Sequence, residues 1–399
     1  MVVQLLSIVR WGHAARVFLQ KQRQRTDPNA SRSPRKSVTF EKERREVLIR
    51  RTKSSSFLSK WKVALLTFLF AACAAAAEPT NLLSSPTNIF APASTPAKSI
   101  VHLSFLVLAI TGIIFAVVFT LLVYSLIKFR WRPLDASSEP AQVYGSTQIE
   151  LAWTIVPILI VVVLYLATAR VIHAIQDAPE PANAVEVTVI GHQYWWEFRY
   201  PKLGIVTANE LHIPVSDPAH PTPTFMTLLS ADTDHSFWVP ELGGKTDLIP
   251  NHPNRMWIDS HRTGIFLGQC AQYCGVQHAK MLIRVSVDSP EDFAAWVHNQ
   301  QQPAIQDASV ETGRRVFESN ACMNCHAVTG TPANGRFGPD LTHLMSRATI
   351  ASGAARNTPE NLRLWIQNPD AIKPGSLMPA MQLSDADLDA VVRYMETLR

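Results

Sequence analysis

One stretch, Cys270-Ala-Gln-Tyr-Cys274-Gly-Val-Gln-His278-Ala-Lys-Met281, decides how the rest of this 399-residue chain is read. Two thiols, an imidazole and a thioether this close together form a soft donor set, suited to copper over any hard cation. His235, in Asp234-His-Ser-Phe-Trp-Val-Pro240, can add a second imidazole from a neighbouring loop. Two plainer readings compete: an exported disulfide between the cysteines, or structural zinc. A disulfide has no use for either histidine, and zinc has none for Met281. A pair of coppers bridged by both thiolates uses every donor.

Around this stretch the signals are β. Val185, Val187 and Val189 alternate with other residues, and Thr224–Leu229 and Met281–Val287 are similar short runs separated by Pro- and Gly-bearing turns. About a hundred residues of short strands predict a sandwich or Greek-key barrel over 184–288. A helix over 291–300 and a polar stretch 301–307 then predict a linker across 289–307. Beyond it stands Cys322-Met-Asn-Cys325-His326, the haem-attachment pattern, in which two thiols bond porphyrin vinyls and the histidine reaches the iron. An amphipathic helix over 310–319 precedes it. A second helix over 384–398 follows, opened by the cap pattern Ser384-Asp-Ala-Asp387.

Upstream, two apolar runs, Ile100–Ile127 and Leu151–Ile172, are long enough to span a bilayer, the second with Pro157 as a tolerated kink. Lys128, Arg130 and Arg132 between them place the loop on the cytoplasmic side, so the chain after 173 lies outside. The hairpin (99–173) offers only His102 as a membrane histidine, too little for a redox centre in the bilayer. Before it, Lys60-Trp-Lys62, the apolar run Val63–Ala72 and Ala75-Ala-Ala77 form an export signal, with lipidation at Cys73 or cleavage after Ala77 both open. Net charge is +5, but residues 1–62 hold 16 Lys/Arg against 4 Asp/Glu, so the basic character belongs to this leader-like extension. It reads as a solvated tail or as sequence upstream of the true start, and no nucleic-acid recognition motif accompanies the charge.

The order of a two-helix hairpin, the run Gly191-His-Gln-Tyr-Trp-Trp196, the His235 motif and C-x-x-x-C-x-x-x-H-x-x-M resembles subunit II of haem–copper cytochrome c oxidases. The C-terminal portion resembles a class I cytochrome c, as in the caa-type branch where the two are fused. The implied fold is a multidomain membrane protein: a two-helix transmembrane hairpin, an all-β cupredoxin-like domain, and an all-α cytochrome domain over 308–399. Carried over by position, the resemblance implies binuclear copper (CuA) on His235, Cys270, Cys274, His278, Met281 and the backbone carbonyl of Gln272. It implies haem c on Cys322 and Cys325, axial His326 and Met378, with Met381 as competitor and the Pro339 carbonyl orienting His326. It also implies electron transfer through Tyr194, Trp195 and Trp196, a proton-channel mouth at Glu150, and a subunit I contact at Asp247.

Two positions depart from the commonest pattern. Gln272 replaces a Glu, which leaves open whether an intersubunit magnesium or manganese site survives. Tyr194 stands where the family's usual electron-accepting Trp falls.

The function implied is that of an electron-input subunit: a cytochrome c donor reduces the haem, then the copper pair, then subunit I, which reduces oxygen with proton pumping. Subunits I and III and membrane lipid are the implied partners, in a bacterial cell (inner) membrane with the C-terminal domains periplasmic. The rival readings are the matching subunit of a nitric oxide reductase and a membrane-tethered copper carrier. The exported part after 172 counts 16 Lys/Arg against 24 Asp/Glu, which predicts an acidic docking face for a basic donor.

Overall fold

The computed structural model describes residues 88–130, 142, 144–217, 219, 221–305 and 307–399. The basic extension, the export signal with Cys73, and Arg132 lie outside the described residues.

Two long helices come first, α1 (Thr95–Lys128) and α2 (Thr147–Gln176), both apolar and long enough to cross a membrane. They extend past the apolar runs at both ends because their polar turns are anchored. Ser94 caps α1 by accepting the Ala97 N–H at 3.2 Å, and Pro96 sits in its first turn. The Ser94 hydroxyl also donates to the Leu242 carbonyl at 2.6 Å, and Thr95 donates to Asp259 at 2.5 Å. At the end of α2, Trp257 Nε1 donates to the Ile175 carbonyl at 2.8 Å. The first turn of α1 and the last turn of α2 therefore meet the same β domain. Helix α2 also takes in His173, one residue beyond the predicted span and 2.5 Å from Asp177.

That domain has ten strands: β1 (Val185–His192), β2 (Trp195–Tyr200), β3 (Ile205–Ala208), β4 (Glu210–Pro214), β5 (Thr224–Ser230), β6 (His235–Trp238), β7 (Thr246–Leu248), β8 (Asn254–Ile258), β9 (Gly264–Cys270) and β10 (Leu282–Asp288). They form two five-stranded sheets, ordered β3-β2-β1-β5-β8 and β4-β10-β9-β6-β7. One core joins them, with Val187, Val189, Trp196, Phe198, Met226 and Leu228 from the first sheet and Leu211, Ile213, Phe237, Phe266, Ile283 and Val285 from the second. The arrangement is a sandwich, and strand alternation explains it: β10 buries every second residue. Parallel pairs β1/β5 and β4/β10 make the connections cross between neighbours rather than meander.

Helix α3 (Pro290–Gln300) leaves the sandwich, capped by Ser289, which accepts the Asp292 N–H at 3.1 Å. The C-terminal region contains α4 (Glu311–Ser319), α5 (Cys322–Cys325), the strand pair β11 (Thr349–Ile350) and β12 (Ala355–Arg356), α6 (Pro359–Gln367), α7 (Pro369–Ile372) and α8 (Asp385–Met395). Helices α4 and α8 cross at Gly313, where an added Cβ would lie 2.0 Å from the Ala390 carbonyl oxygen. Phe317 packs on Tyr394 beside that crossing, ring centroids 5.8 Å apart.

Two helix boundaries are corrected. Val310 belongs to a short 3-10 turn, Ala308–Val310, ahead of α4, and α8 stops at Met395 rather than Leu398. The region is helical as expected, with one short pair of two-residue strands beside the helices. Within the linker, Ala304 is buried, and its N–H donates to the Thr329 carbonyl at 3.0 Å.

Candidate metal and haem sites

Five side chains from two loops converge at one end of the sandwich. His235 opens β6, Cys270 closes β9, and Cys274, His278 and Met281 line the return to β10, with a 3-10 turn at His278–Lys280. The thiol sulfurs stand 3.8 Å apart, far beyond a disulfide bond of about 2.05 Å, so the disulfide reading does not hold. Cys270 Sγ lies 3.9 Å from His235 Nδ1 and 3.2 Å from the Gln272 carbonyl oxygen. Cys274 Sγ lies 3.7 Å from His278 Nδ1 and 3.9 Å from Met281 Sδ. Each histidine thus addresses a different sulfur, a division that a single tetrahedral zinc does not explain. His235, both cysteines and Met281 are buried.

The electrostatics suit ligation. Asp232 accepts from His235 Nε2 at 2.8 Å, which leaves Nδ1 as the free lone pair facing the sulfurs. Burial works against a charge on His235, yet the Asp232 hydrogen bond and the Cys270 thiol outweigh it and raise its basicity. The thiols share a proton: the hydrogen bond from Cys274 pulls Cys270 well below the ordinary thiol value against burial, and the same bond pushes Cys274 up.

The second site is a cavity of about 480 Å³ in the C-terminal region. Cys322, Cys325, His326, Pro339, Met378 and Met381 line it, as does Met395. His326 Nδ1 is held by the Pro339 carbonyl at 2.7 Å, which reserves Nε2 for a ligand. Burial also keeps the ring neutral, pulling His326 below the ordinary value. Gly338 passes so close to this ring that an added Cβ would lie 2.6 Å from it. Arg347, wholly buried and lining the cavity, donates one guanidinium nitrogen to the Asp340 carbonyl at 2.6 Å, while its Nε finds no partner among the described residues. An apolar cavity with two free thiols, an oriented imidazole and a buried guanidinium with an open Nε fits a porphyrin with acidic side chains.

The two sites touch. Gln193 and Tyr194, from the turn between β1 and β2, and Trp195, which opens β2, also line the cavity. Tyr194 Oη accepts the Val276 N–H at 3.2 Å, and Trp195 stacks on His192 at 4.2 Å. Trp196 turns inward instead, meeting the His235 ring edge-on at 6.1 Å. Elsewhere, Asp247 pairs with Ser236 across β6 and β7, in the segment where Gly244 approaches Ile100 of α1. Glu150 stands exposed in the first turn of α2, at the far end of the hairpin.

Comparison with known families agrees with this division. The family described as cytochrome C oxidase subunit II, transmembrane domain, matches residues 84–171, and its periplasmic domain matches 218–287. The cytochrome c family matches 310–399. The subunit 2 of cytochrome c oxidase from Alkalihalophilus pseudofirmus is 36% identical over 304 residues, covering 74% of this chain and 85% of that protein. The chain belongs to the cytochrome c oxidase subunit 2 family. Two more subunit 2 proteins are 34% identical, from Bacillus sp. strain PS3, and 31% identical, from Bacillus subtilis strain 168. The first match covers 68% of this chain and 80% of its relative; the second covers 69% and 82%. As a subunit 2 with a C-terminal cytochrome c domain, the chain is the electron-input component of a terminal oxidase.

Several contributors to the sites carry no motif. Asp232, Arg347 and Lys373, whose Nζ donates to the Tyr194 carbonyl at 2.7 Å, belong to residue types too common to single out. Only Asp232 had a local signal, an acid three residues before a candidate ligand histidine.

Proposed function

We propose that His235, Cys270, Cys274, His278, Met281 and the Gln272 carbonyl hold a binuclear copper centre. Cys322 and Cys325 then carry a covalent haem c ligated by His326 and Met378. When bound, these groups supply one-electron chemistry: the haem takes electrons from a cytochrome c and the copper pair relays them toward subunit I. The observation that carries this reading is that the cavity wall and the copper-side turn are the same residues, Gln193, Tyr194 and Trp195.

The chain's own part is placement and tuning. Asp232 and the Pro339 carbonyl fix the two key imidazoles, and the buried Arg347 offers its charge to an acidic haem substituent. Lys373 clamps the Tyr194 carbonyl and the Ala351 carbonyl, at 2.7 and 3.2 Å, so the two domains meet in one register. Tyr194 serves in place of a tryptophan at the contact. Glu150 is the proton-channel mouth and Asp247 a subunit I contact, in a complex that includes subunit III. The two soluble domains face the periplasm from a bacterial inner membrane.

Purifying the complex and recording its haem spectrum and copper content tests this reading. Covalent haem retained after denaturation and lost in Cys322→Ser is expected; a non-covalent haem contradicts it.

A further inference from the structure

We infer that Gln193 is the bridge that joins the haem cavity to the copper cluster, a role that rests on the ligand reading above. Gln193 lines the cavity, and its side-chain Nε2 donates to the Cys274 carbonyl oxygen at 2.6 Å. Its backbone N–H donates to one Asp232 oxygen at 2.7 Å, and the other Asp232 oxygen holds His235 Nε2 at 2.8 Å. One residue on the cavity wall thereby reaches two donors of the cluster, Cys274 directly and His235 through one carboxylate. Both arms consist of covalent and hydrogen bonds throughout.

The neighbouring aromatic residues fall short of such continuity. The Tyr194 hydroxyl is bonded to the Val276 N–H, on a residue that donates nothing to the cluster. Trp195 stacks on His192, whose Nε2 lies 3.0 Å from a Glu197 carboxylate oxygen. Trp196 touches His235 only through ring contact and is absent from the cavity wall. Electronic coupling decays less through bonds and hydrogen bonds than across contact gaps, so Gln193 is favoured over these three aromatic residues. In the step itself one electron is lost by the ferrous iron and gained by the oxidised copper pair. No bond of Gln193 breaks and its amide keeps both protons.

Two measurements on the complete oxidase test this. In unaltered complex labelled with ¹⁵N in glutamine side chains, electron–nuclear double resonance of the copper signal should show ¹⁵N coupling and an exchangeable proton. In Gln193→Met, which keeps the side-chain length and removes the amide, that coupling should vanish while the copper and haem signals persist. Flash reduction of the haem should then fill the copper centre roughly tenfold more slowly, as expected when a well-oriented link is lost. A wild-type rate in Gln193→Met overturns the inference and leaves the ligand reading intact. If Gln193→Met does not assemble, the unaltered complex decides, because absence of ¹⁵N coupling there overturns the inference. Absence of any copper signal in unaltered complex defeats the ligand reading instead.

Discussion

Glu210 of the sandwich and Thr349 of the cytochrome domain are joined by a buried carboxylate that accepts the Thr349 N–H at 2.9 Å and its hydroxyl at 2.7 Å. The Ala348 N–H reaches the same carboxylate at 3.0 Å. Nearby, Leu282 N–H donates to the Ser352 carbonyl, and the Ser352 hydroxyl donates to the Leu282 carbonyl, both at 3.1 Å. Domains in one chain move relative to each other unless the interface is large or well bonded. Here a full carboxylate with three donors fixes the contact that puts the cavity against Gln193, Tyr194 and Trp195.

Glu210→Ala should therefore undock the cytochrome domain. The change strands the buried Thr349 N–H and hydroxyl and the part-buried Ala348 N–H, at a cost of about 2–3 kcal/mol. Protease cutting within 301–307 should rise, while α6 and α8 stay protected. Unchanged cutting would show that Glu210 does not hold the interface.

Gly313→Ala should destabilise the cytochrome domain itself. A methyl group 2.0 Å from the Ala390 carbonyl oxygen forces α4 and α8 apart, and overpacking of this kind costs about 1–3 kcal/mol. The thermal midpoint of the haem-linked unfolding transition should fall, with the copper domain's transition unmoved.

Acid should weaken the sandwich. Burial alone would raise Glu197, but hydrogen bonds from His192 and Arg199 outweigh it and hold the carboxyl below its ordinary 4.5. Asp288 follows the same pattern: burial is outweighed by His212 at 2.7 Å, and the carboxyl stays below its ordinary 3.8. Both folded values are depressed, so the unfolded chain binds more protons in acid. Their stabilisation is complete above the unfolded values and is lost as pH falls through the lower folded ones. Denaturant midpoints should drop across that range, and Glu197→Gln should flatten part of the drop. A midpoint that rises on acidification contradicts this.

Much of the chemistry was legible in the sequence, because thiols, imidazoles and thioethers at fixed spacing have few structural uses. The hairpin and the sandwich followed from apolar length and strand alternation. The docking of the two domains did not. Glu210 meets Thr349 across 139 residues and Lys373 meets Tyr194 across 179, and neither pair has a local signature. The polar stretch at 301–307 read as a linker, and composition could not show that Ala304 within it is tied to Thr329. Helix α6 is different: Thr358 caps it and Pro359 opens it, so its start is marked in the sequence. Trp195 and Trp196 are adjacent letters with separate duties, since strand alternation sends one to the cavity wall and the other into the core.

Charge gives a further expectation. Residues 178–300 hold 13 Asp/Glu against 7 Lys/Arg, and 301–399 hold 10 against 9. Association with a basic cytochrome donor should slow as ionic strength rises. Stopped-flow reduction that ignores salt would remove the acidic face from the docking account.

The most direct test of the central claim is electron paramagnetic resonance of the oxidised, purified complex. A copper hyperfine pattern from one unpaired electron shared equally by two nuclei is the predicted result, and it should collapse in Cys274→Ser. A pattern from one copper nucleus, or a full two-copper pattern that survives Cys274→Ser, would contradict the ligand assignment on which the account rests.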